Sequence, residues 1–99
     1  MDIRIQSIHF DAAEKLQAFV QKKVGKLEKY CDEIRKVEVS LKVVKPETVK
    51  NKEAGIRVFV PNGDLYVEKV CDTFEESIDE GVEALEKQLL KYKEKQRGK

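Results

Sequence analysis

Hydrophobic and polar residues alternate in four short segments of the chain, in the period of a β-strand. In "KVEVSLKVV", Val37, Val39 and Leu41 point to one face and the polar residues between them to the other. The opening "DIRIQSIHF" alternates in the same way. The segments "AGIRVFV" and "DLYVEKV" flank "PNG", where Asn62 and Gly63 are typical of a tight hairpin turn. The pattern therefore predicts four strands, the last two paired antiparallel.

Two other segments carry apolar residues at intervals of three and four, the period of an amphipathic helix. The first runs along Leu16, Val20, Val24 and Leu27 to Cys31. The second has the longer apolar stripe, at Phe74, Ile78, Val82, Leu85, Leu89 and Tyr92. Each begins with a capping pattern. Asp11 is predicted to cap the first helix and Asp72 or Thr73 the second, with glutamates at the matching distance.

The elements follow in the order β-α-β-β-β-α along 99 residues, which make one domain, 1–99. Two amphipathic helices pack most simply on one face of a four-stranded, largely antiparallel sheet. The predicted fold class is therefore α+β, a two-layer sandwich. The polar segment 45–53 is predicted to be a loop, His9 a strand-end residue, and 95–99 a frayed tail.

Composition excludes several classes of protein. No apolar run approaches the roughly 20 residues that cross a bilayer, and the N-terminus is not a signal peptide. A cytoplasmic protein without a membrane partner is therefore expected. Cys31 and Cys71 stand far apart, and His9 is the only histidine, so no metal-ligand set and no cofactor are predicted. Both cysteines are expected to be reduced.

No catalytic constellation is evident in the sequence, so no enzyme and no small-molecule substrate are predicted. A small α+β hydrolase of the acylphosphatase kind needs a phosphate-cradling loop and an Arg/Asn pair after its first strand. The segment "SIHFDAAE" has neither. A glycine-rich phosphate loop and a Cys–His pair with a recognisable spacing are also missing.

Charge is segregated although the net charge is only +1. Residues 72–86 contain seven acids and no base, whereas 87–99 contain six bases and one acid. On the first helix, Lys15, Lys22, Lys26 and Lys29 share a stripe about 60° wide, with Lys23 at its margin. On the second, a lysine recurs about once per turn. The candidate binding residues are Lys22, Lys23, Lys26, Lys29, Lys87, Lys91, Lys93 and Lys95.

Two interpretations of these lysines are open, an anion-binding surface and a merely solvated face. Acids at a helix N-terminus and bases at its C-terminus complement the helix dipole, but that effect fades within a turn. The helix dipole therefore does not explain why acids and bases are separated along the whole second helix, nor why the other helix also carries a lysine stripe. If the surface is real, nucleic acid is the expected partner, since lysines at one-turn intervals match repeating phosphates. Lysines without arginine forks favour backbone recognition.

The segments "FVQKKVGKLEKYCDEIRKVEVSLKV", "PNGDLY", "DTFEESID" and "LEKQLLKYKEK" resemble the ribosome hibernation-promoting factor family, also called ribosome-associated inhibitors or ribosomal subunit interface proteins. The match follows the whole chain in order. The resemblance implies a fold similar to a double-stranded-RNA-binding domain with an extra first strand. It also implies binding to the small ribosomal subunit at the A and P sites of the decoding channel, through ribosomal RNA phosphates, and inhibition of translation in stationary phase or stress.

Carried over by position, the resemblance places family lysines of the first helix at Lys23 and Lys26, with Lys29 in the same motif. Those of the second helix fall on Lys87, Lys91, Lys93 and Lys95. A basic residue often found one turn before Lys87 is Ala84 here. The chain resembles the short form of the family, and a monomer is expected when it is free. Alternatives are a general double-stranded-RNA-binding module and a small oligomeric interaction domain.

Overall fold

The computed structural model of the protein describes residues 1–8, 10–44, 50–61 and 63–97. Its elements are β1 (Asp2–Ile8), α1 (Glu14–Gly25), a 3₁₀ turn (Lys26–Lys29), β2 (Lys36–Val43), β3 (Lys52–Val60), β4 (Gly63–Cys71) and α2 (Phe74–Arg97). The element order predicted from the sequence is confirmed. The predicted fraying of 95–99 stays a prediction, although α2 continues to Arg97.

The four strands form one sheet in the order β1-β2-β3-β4. β1 pairs with β2 in parallel, whereas β2 with β3 and β3 with β4 are antiparallel. A parallel pair needs a crossover connection, and α1 with the 3₁₀ turn supplies it. The sheet is thus largely antiparallel, as predicted, with β1 and β4 at its edges.

The hydrophobic core lies between one face of the sheet and the two helices. Val37, Val39 and Leu41 of β2 are at most 1% exposed, in agreement with the alternation in the sequence. From α2, Leu85 and Leu89 meet this face and are fully buried. Both helices therefore cover the same face of the sheet, and among the described residues its other face is open to solvent.

The hairpin between β3 and β4 closes with Val60 opposite Gly63. Gly63 has a φ of 148°, which glycine adopts freely and other residues rarely. Asn62 of the predicted turn lies outside the described residues, as do His9 and the segment 45–49. Because β3 begins at Lys52, the loop predicted at 45–53 is shorter at its C-terminal end.

The start of α1 differs from the prediction. Asp11 is not its cap, because the helix begins at Glu14 and the N-cap residue is Ala13, which forms no side-chain hydrogen bond to the helix. The side-chain amide of Gln17 instead donates a hydrogen bond of 3.0 Å to the carbonyl of Ala12. A local bond made from inside the first turn thus secures the chain at this end.

The end of α1 also differs, because the α-helix predicted to reach Cys31 stops at Gly25 and continues as the 3₁₀ turn. Glycine in a helix interior costs about 1 kcal/mol relative to alanine, which favours a change of helix type there. Leu27 inside the turn is fully buried, and its carbonyl accepts the backbone N–H groups of Tyr30 and Cys31. The tighter turn thus keeps the apolar anchor of this segment in the core.

The start of α2 is held by a cap and by a ring contact. Of the two predicted caps the structure uses Thr73, whose Oγ1 accepts the backbone N–H of Glu76 at 3.1 Å. The ring of Phe74 stacks on that of Phe10 with centroids 5.1 Å apart. The two contacts determine where α2 begins and how it enters the core.

α2 packs directly on side chains of the sheet at Gly81. A Cβ atom at this position would stand 2.9 Å from Cδ1 of Ile56 on β3 and 3.5 Å from Val67 on β4. Glycine therefore allows the helix to settle across both strands. Within the described ranges no helix combines the length and apolar character that crossing a bilayer requires.

We predict that Thr73→Ala lowers the free energy of unfolding by about 1 kcal/mol, because the N–H of Glu76 loses its acceptor. Thr73→Ser keeps the hydroxyl and is expected to retain most of the stability. Urea denaturation followed by circular dichroism measures both variants. An equal loss in the two would contradict the assignment of Thr73 as cap.

Candidate nucleic-acid interface

An open groove of about 730 Å³ runs between the first helical segment and α2. It exists because both helices cover the same face of the sheet and lie side by side. Lys23 and Lys26 line it from one side and Lys87 from the other. Three of the eight predicted lysines, drawn from segments far apart in the sequence, are thus brought together.

The remaining candidate lysines lie outside the lining of this groove. Lys22, Lys26, Lys29, Lys87, Lys91 and Lys95 are exposed, whereas Lys23 and Lys93 are half-buried. At 100° per residue, Lys93 lies about 120° to one side of Lys87, the side of the groove, and Lys95 about 80° to the other. The lysines of α2 therefore surround its C-terminal half on both flanks and do not form one narrow stripe.

The lysine stripe predicted on a continuous first helix is interrupted by the 3₁₀ turn. Residues i and i+3 eclipse each other in a 3₁₀ helix, so Lys29 follows Lys26 directly. Lys15 and Lys22 belong to the preceding α-helical part. The first segment thus presents two pairs of lysines and no single straight row.

The ammonium group of Lys23 already contacts a carboxylate and an aromatic ring. Its Nζ lies 3.1 Å from Oδ1 of Asp79 on α2 and 5.5 Å from the ring centroid of Phe19. The lysine side chain is 29% exposed and that of the aspartate 53%. This ion pair joins the two helices across the groove, a contact that no spacing in the sequence indicates. It also offsets part of the positive charge that the sequence assigned to Lys23.

The groove contains acids as well as bases. Asp79, Glu83 and Glu86 line it from the N-terminal and middle turns of α2, up to Lys87. Carboxylates near a helix N-terminus are stabilised by its dipole, which accounts for the first of the seven acids. Along α2 the charged residues of the groove therefore change from acidic to basic at Lys87, whereas the first helical segment contributes Lys23 and Lys26.

Lys69 is a basic residue near this surface that the sequence reasoning missed. It lies on β4 and shares a shallow depression of about 280 Å³ with Ala84 and Lys87, on the far flank of α2. Glu80 and Glu83 line the same depression. Because Lys69 stands in a strand of alternating residues, only the packing of α2 over β4 reveals its neighbours.

Tyr92 anchors the basic half of α2 to the core. Its Oη is buried and has no hydrogen-bond partner among the described residues. Burial, followed by the nearby Glu33 and Cys31, raises the pKa of the phenol. The ring thus holds the last turns of α2 against the segment that precedes β2, so the lysines around it stand on an ordered helix.

The open face of the sheet is a second surface, and two of its cations are already occupied. Arg57 lies 4.7 Å above the ring of Tyr66 and pairs with Asp64. Lys36 lies 4.8 Å above the ring of Phe59 and pairs with Glu38 at 3.6 Å. Because rings and carboxylates already satisfy these two groups, Lys36 and Arg57 are less available to phosphate than Lys26 and Lys87 are.

One group of possible metal ligands is brought together in the described part of the chain. The ligand atoms of Cys71, Glu76 and Glu80 lie within 4.8 Å of one another. The Sγ of Cys71 donates a hydrogen bond of 3.4 Å to Oε2 of Glu80. Burial, with the two carboxylates, raises the pKa of this thiol, so without a metal it is protonated at neutral pH.

The chain matches known proteins over nearly its whole length. The family model described as "Sigma 54 modulation protein / S30EA ribosomal protein" matches residues 3–97. A ribosome hibernation promoting factor of Escherichia coli K12 is 32% identical over 95 residues, 96% of each chain. One of Pseudomonas putida is 29% identical over 96 residues, 97% of this chain and 90% of the relative.

Two solved structures share the fold. A ribosomal subunit interface protein from Coxiella burnetii superposes with a TM-score of 0.84 and 25% identity, covering 94% of this chain and 98% of the other. The N-terminal domain of Thermus thermophilus Protein Y gives a TM-score of 0.79 and 26% identity, covering 93% and 99%. The predicted fold class and the predicted family are both confirmed.

We predict that the Lys23–Asp79 pair contributes about 0.2–1 kcal/mol to stability, as exposed ion pairs do. A double-mutant cycle of Lys23→Gln and Asp79→Asn, measured by urea denaturation, isolates this coupling. It should fall to less than half at about 1 M salt, where the Debye length of about 3 Å is no longer than the separation of the charges. A coupling unchanged in high salt would contradict a simple surface ion pair.

Proposed function

The chain belongs to the sigma 54 modulation protein / S30EA ribosomal protein family, and on this premise we propose that it is a ribosome hibernation factor. It binds the small ribosomal subunit in the decoding channel, at the A and P sites, and keeps messenger and transfer RNA out. Translation is thereby inhibited in stationary phase or stress. The observation that carries the proposal is the groove in which Lys23, Lys26 and Lys87 meet, on a chain that hibernation factors match end to end.

Ribosomal RNA is the partner that the charges of the helical surface favour. Each phosphate that a lysine neutralises releases counterions, so several exposed lysines on two helices supply affinity without any reading of bases. Lysine ammonium groups act as point charges and do not require the planar fork geometry that arginine offers. Recognition is therefore expected to follow the shape of the RNA backbone.

Orientation on the RNA follows from the acidic half of α2. Asp79, Glu83 and Glu86 repel phosphate in the same groove in which Lys26 and Lys87 attract it. A phosphate chain can therefore follow only the end of the groove beyond the acids. The protein would thus enter the channel with the C-terminal half of α2 against RNA.

Inhibition requires no chemistry in this proposal. A body whose Cα atoms extend over 49 × 23 × 18 Å excludes other ligands from the channel by its volume. The protein acts in the cytoplasm, as a monomer when free, and without a cofactor. The inhibition is therefore expected to be reversible and to depend on how many subunits are occupied.

Co-sedimentation with purified small subunits tests the proposal. The protein should pellet with the subunits at low salt and remain in the supernatant at high salt, because its affinity rests on counterion release. It should also lower the yield of a cell-free translation reaction in proportion to the fraction of small subunits that it occupies. A protein that stayed in the supernatant at low salt would refute the proposal, and preference for free RNA duplexes would favour a general double-stranded-RNA module.

We predict that Lys87→Glu/Lys91→Glu abolishes co-sedimentation, since two attractive charges become repulsive beside the same phosphates. Both side chains are exposed, so the circular dichroism spectrum should be unchanged. Lys36→Glu/Lys42→Glu makes the same charge change on the open face of the sheet and is expected to retain binding. Equal loss in the two double variants would mean that net charge, and not this surface, determines the binding.

A further inference from the structure

Leu90 is half exposed, at 50%, on the groove side of α2. Single exposed leucines are common on protein surfaces and need no explanation. This one, however, lines the same groove as Tyr30, which is half-buried, and Val82, which is buried. The three side chains give a groove with charged walls an apolar floor.

The surroundings of Leu90 restrict what can touch it. Lys26 and Lys87 line the groove beside it, and Lys93 follows it by three residues on the same face of α2. Within the described ranges, Lys23 is the only one of the groove's lysines that forms an ion pair. Charges of both signs therefore surround an occupant that reaches Leu90, and Lys26 and Lys87 offer an anionic group the kind of contact that Lys23 already makes with Asp79.

We propose that the floor formed by Tyr30, Val82 and Leu90 takes the base of an unpaired nucleotide of ribosomal RNA, whose phosphate lies against Lys26 and Lys87. The proposal rests on the function proposed above and adds an apolar contact to a surface otherwise described by charge. A nucleotide joins an anionic phosphate to an apolar face within one residue, as this groove requires. A base inside a duplex is stacked between its neighbours and is inaccessible to the protein, whereas an unpaired base can turn outward and pack on side chains.

The acids of the groove set the direction of this nucleotide. Glu83 and Glu86 stand on the N-terminal side of Leu90 and repel phosphate. The phosphate is thereby kept to the contacts that Lys26 and Lys87 offer, and the base extends over the floor. The groove, about 730 Å³ in volume and open to solvent, has room for one nucleotide without a change of the helices.

Salt dependence distinguishes an apolar contact from an ionic one. Leu90→Ser should weaken binding to small subunits about fivefold at every salt concentration, since part of a leucine's transfer free energy is lost. The slope of log affinity against log salt should not change, because no phosphate contact is removed. Lys87→Gln should instead reduce that slope by about 1.

Val70→Ser is the matched control, because Val70 is 40% exposed on the open face of the sheet. It should bind as the unaltered protein does, and urea denaturation should find both serine variants folded. If the unaltered protein binds and Leu90→Ser binds equally well, this inference is overturned while the proposed function stands. If the unaltered protein does not bind subunits, both fall together.

Crosslinking identifies the occupant directly. Leu90→p-benzoylphenylalanine, irradiated on the small subunit, should form adducts that ribonuclease digests and protease leaves attached to nucleotide fragments. The same substitution at Val70 should give no RNA adduct. Adducts at position 90 with ribosomal protein alone would overturn the assignment of a nucleotide.

Discussion

The packing of α2 against the sheet is the contact on which the candidate surface depends. Because Gly81 has no Cβ atom, the backbone of the helix can lie directly against the side chain of Ile56. Leu85 and Leu89, fully buried, continue this contact toward the basic half. Since α1 covers the same face, the helices must lie side by side, and the groove between them follows from the burial of their apolar stripes.

Charge segregation lets a nearly neutral chain present a basic surface. The net charge of +1 conceals an acidic first half and a basic second half within α2. The acids also have a structural role besides lowering the net charge, because Asp79 of α2 forms an ion pair with Lys23 of α1. In the proposed complex, the acids would restrict where a phosphate can lie against α2, which an evenly basic surface would not do.

Local periodicity predicted the elements well because burial on one face leaves a direct trace in the sequence. The alternation around Val39 and the stripe through Leu85 each follow from one element packing against one neighbour. The cap at Asp11 failed because the helix begins at Glu14, two residues later than a cap at Asp11 requires, and no side chain caps it at Ala13. The change to a 3₁₀ turn after Gly25 likewise depends on keeping Leu27 in the core.

The candidate site was predictable in its residues but not in its arrangement. Lysine spacing along one helix is visible in the sequence, whereas the neighbours of Lys23 and Lys69 come from elements distant along the chain. No pattern in the sequence indicates the apolar floor at Leu90 either, since a leucine beside a lysine-rich stripe is usual on a long helix. Only the position of α2 relative to the first helix identifies it as part of the groove.

Rigidity connects the fold to the affinity of this surface. Lys26 is carried by the turn that Leu27 anchors, and Lys87 by the helix turn that Leu85 and Leu89 anchor. Phosphates are spaced along RNA at nearly constant intervals, so lysines held at a constant separation lose less conformational freedom on binding than lysines on a loose segment would. In the proposed complex the buried leucines would therefore act on binding indirectly, because they keep cations from two distant segments of the chain in one groove before RNA binds.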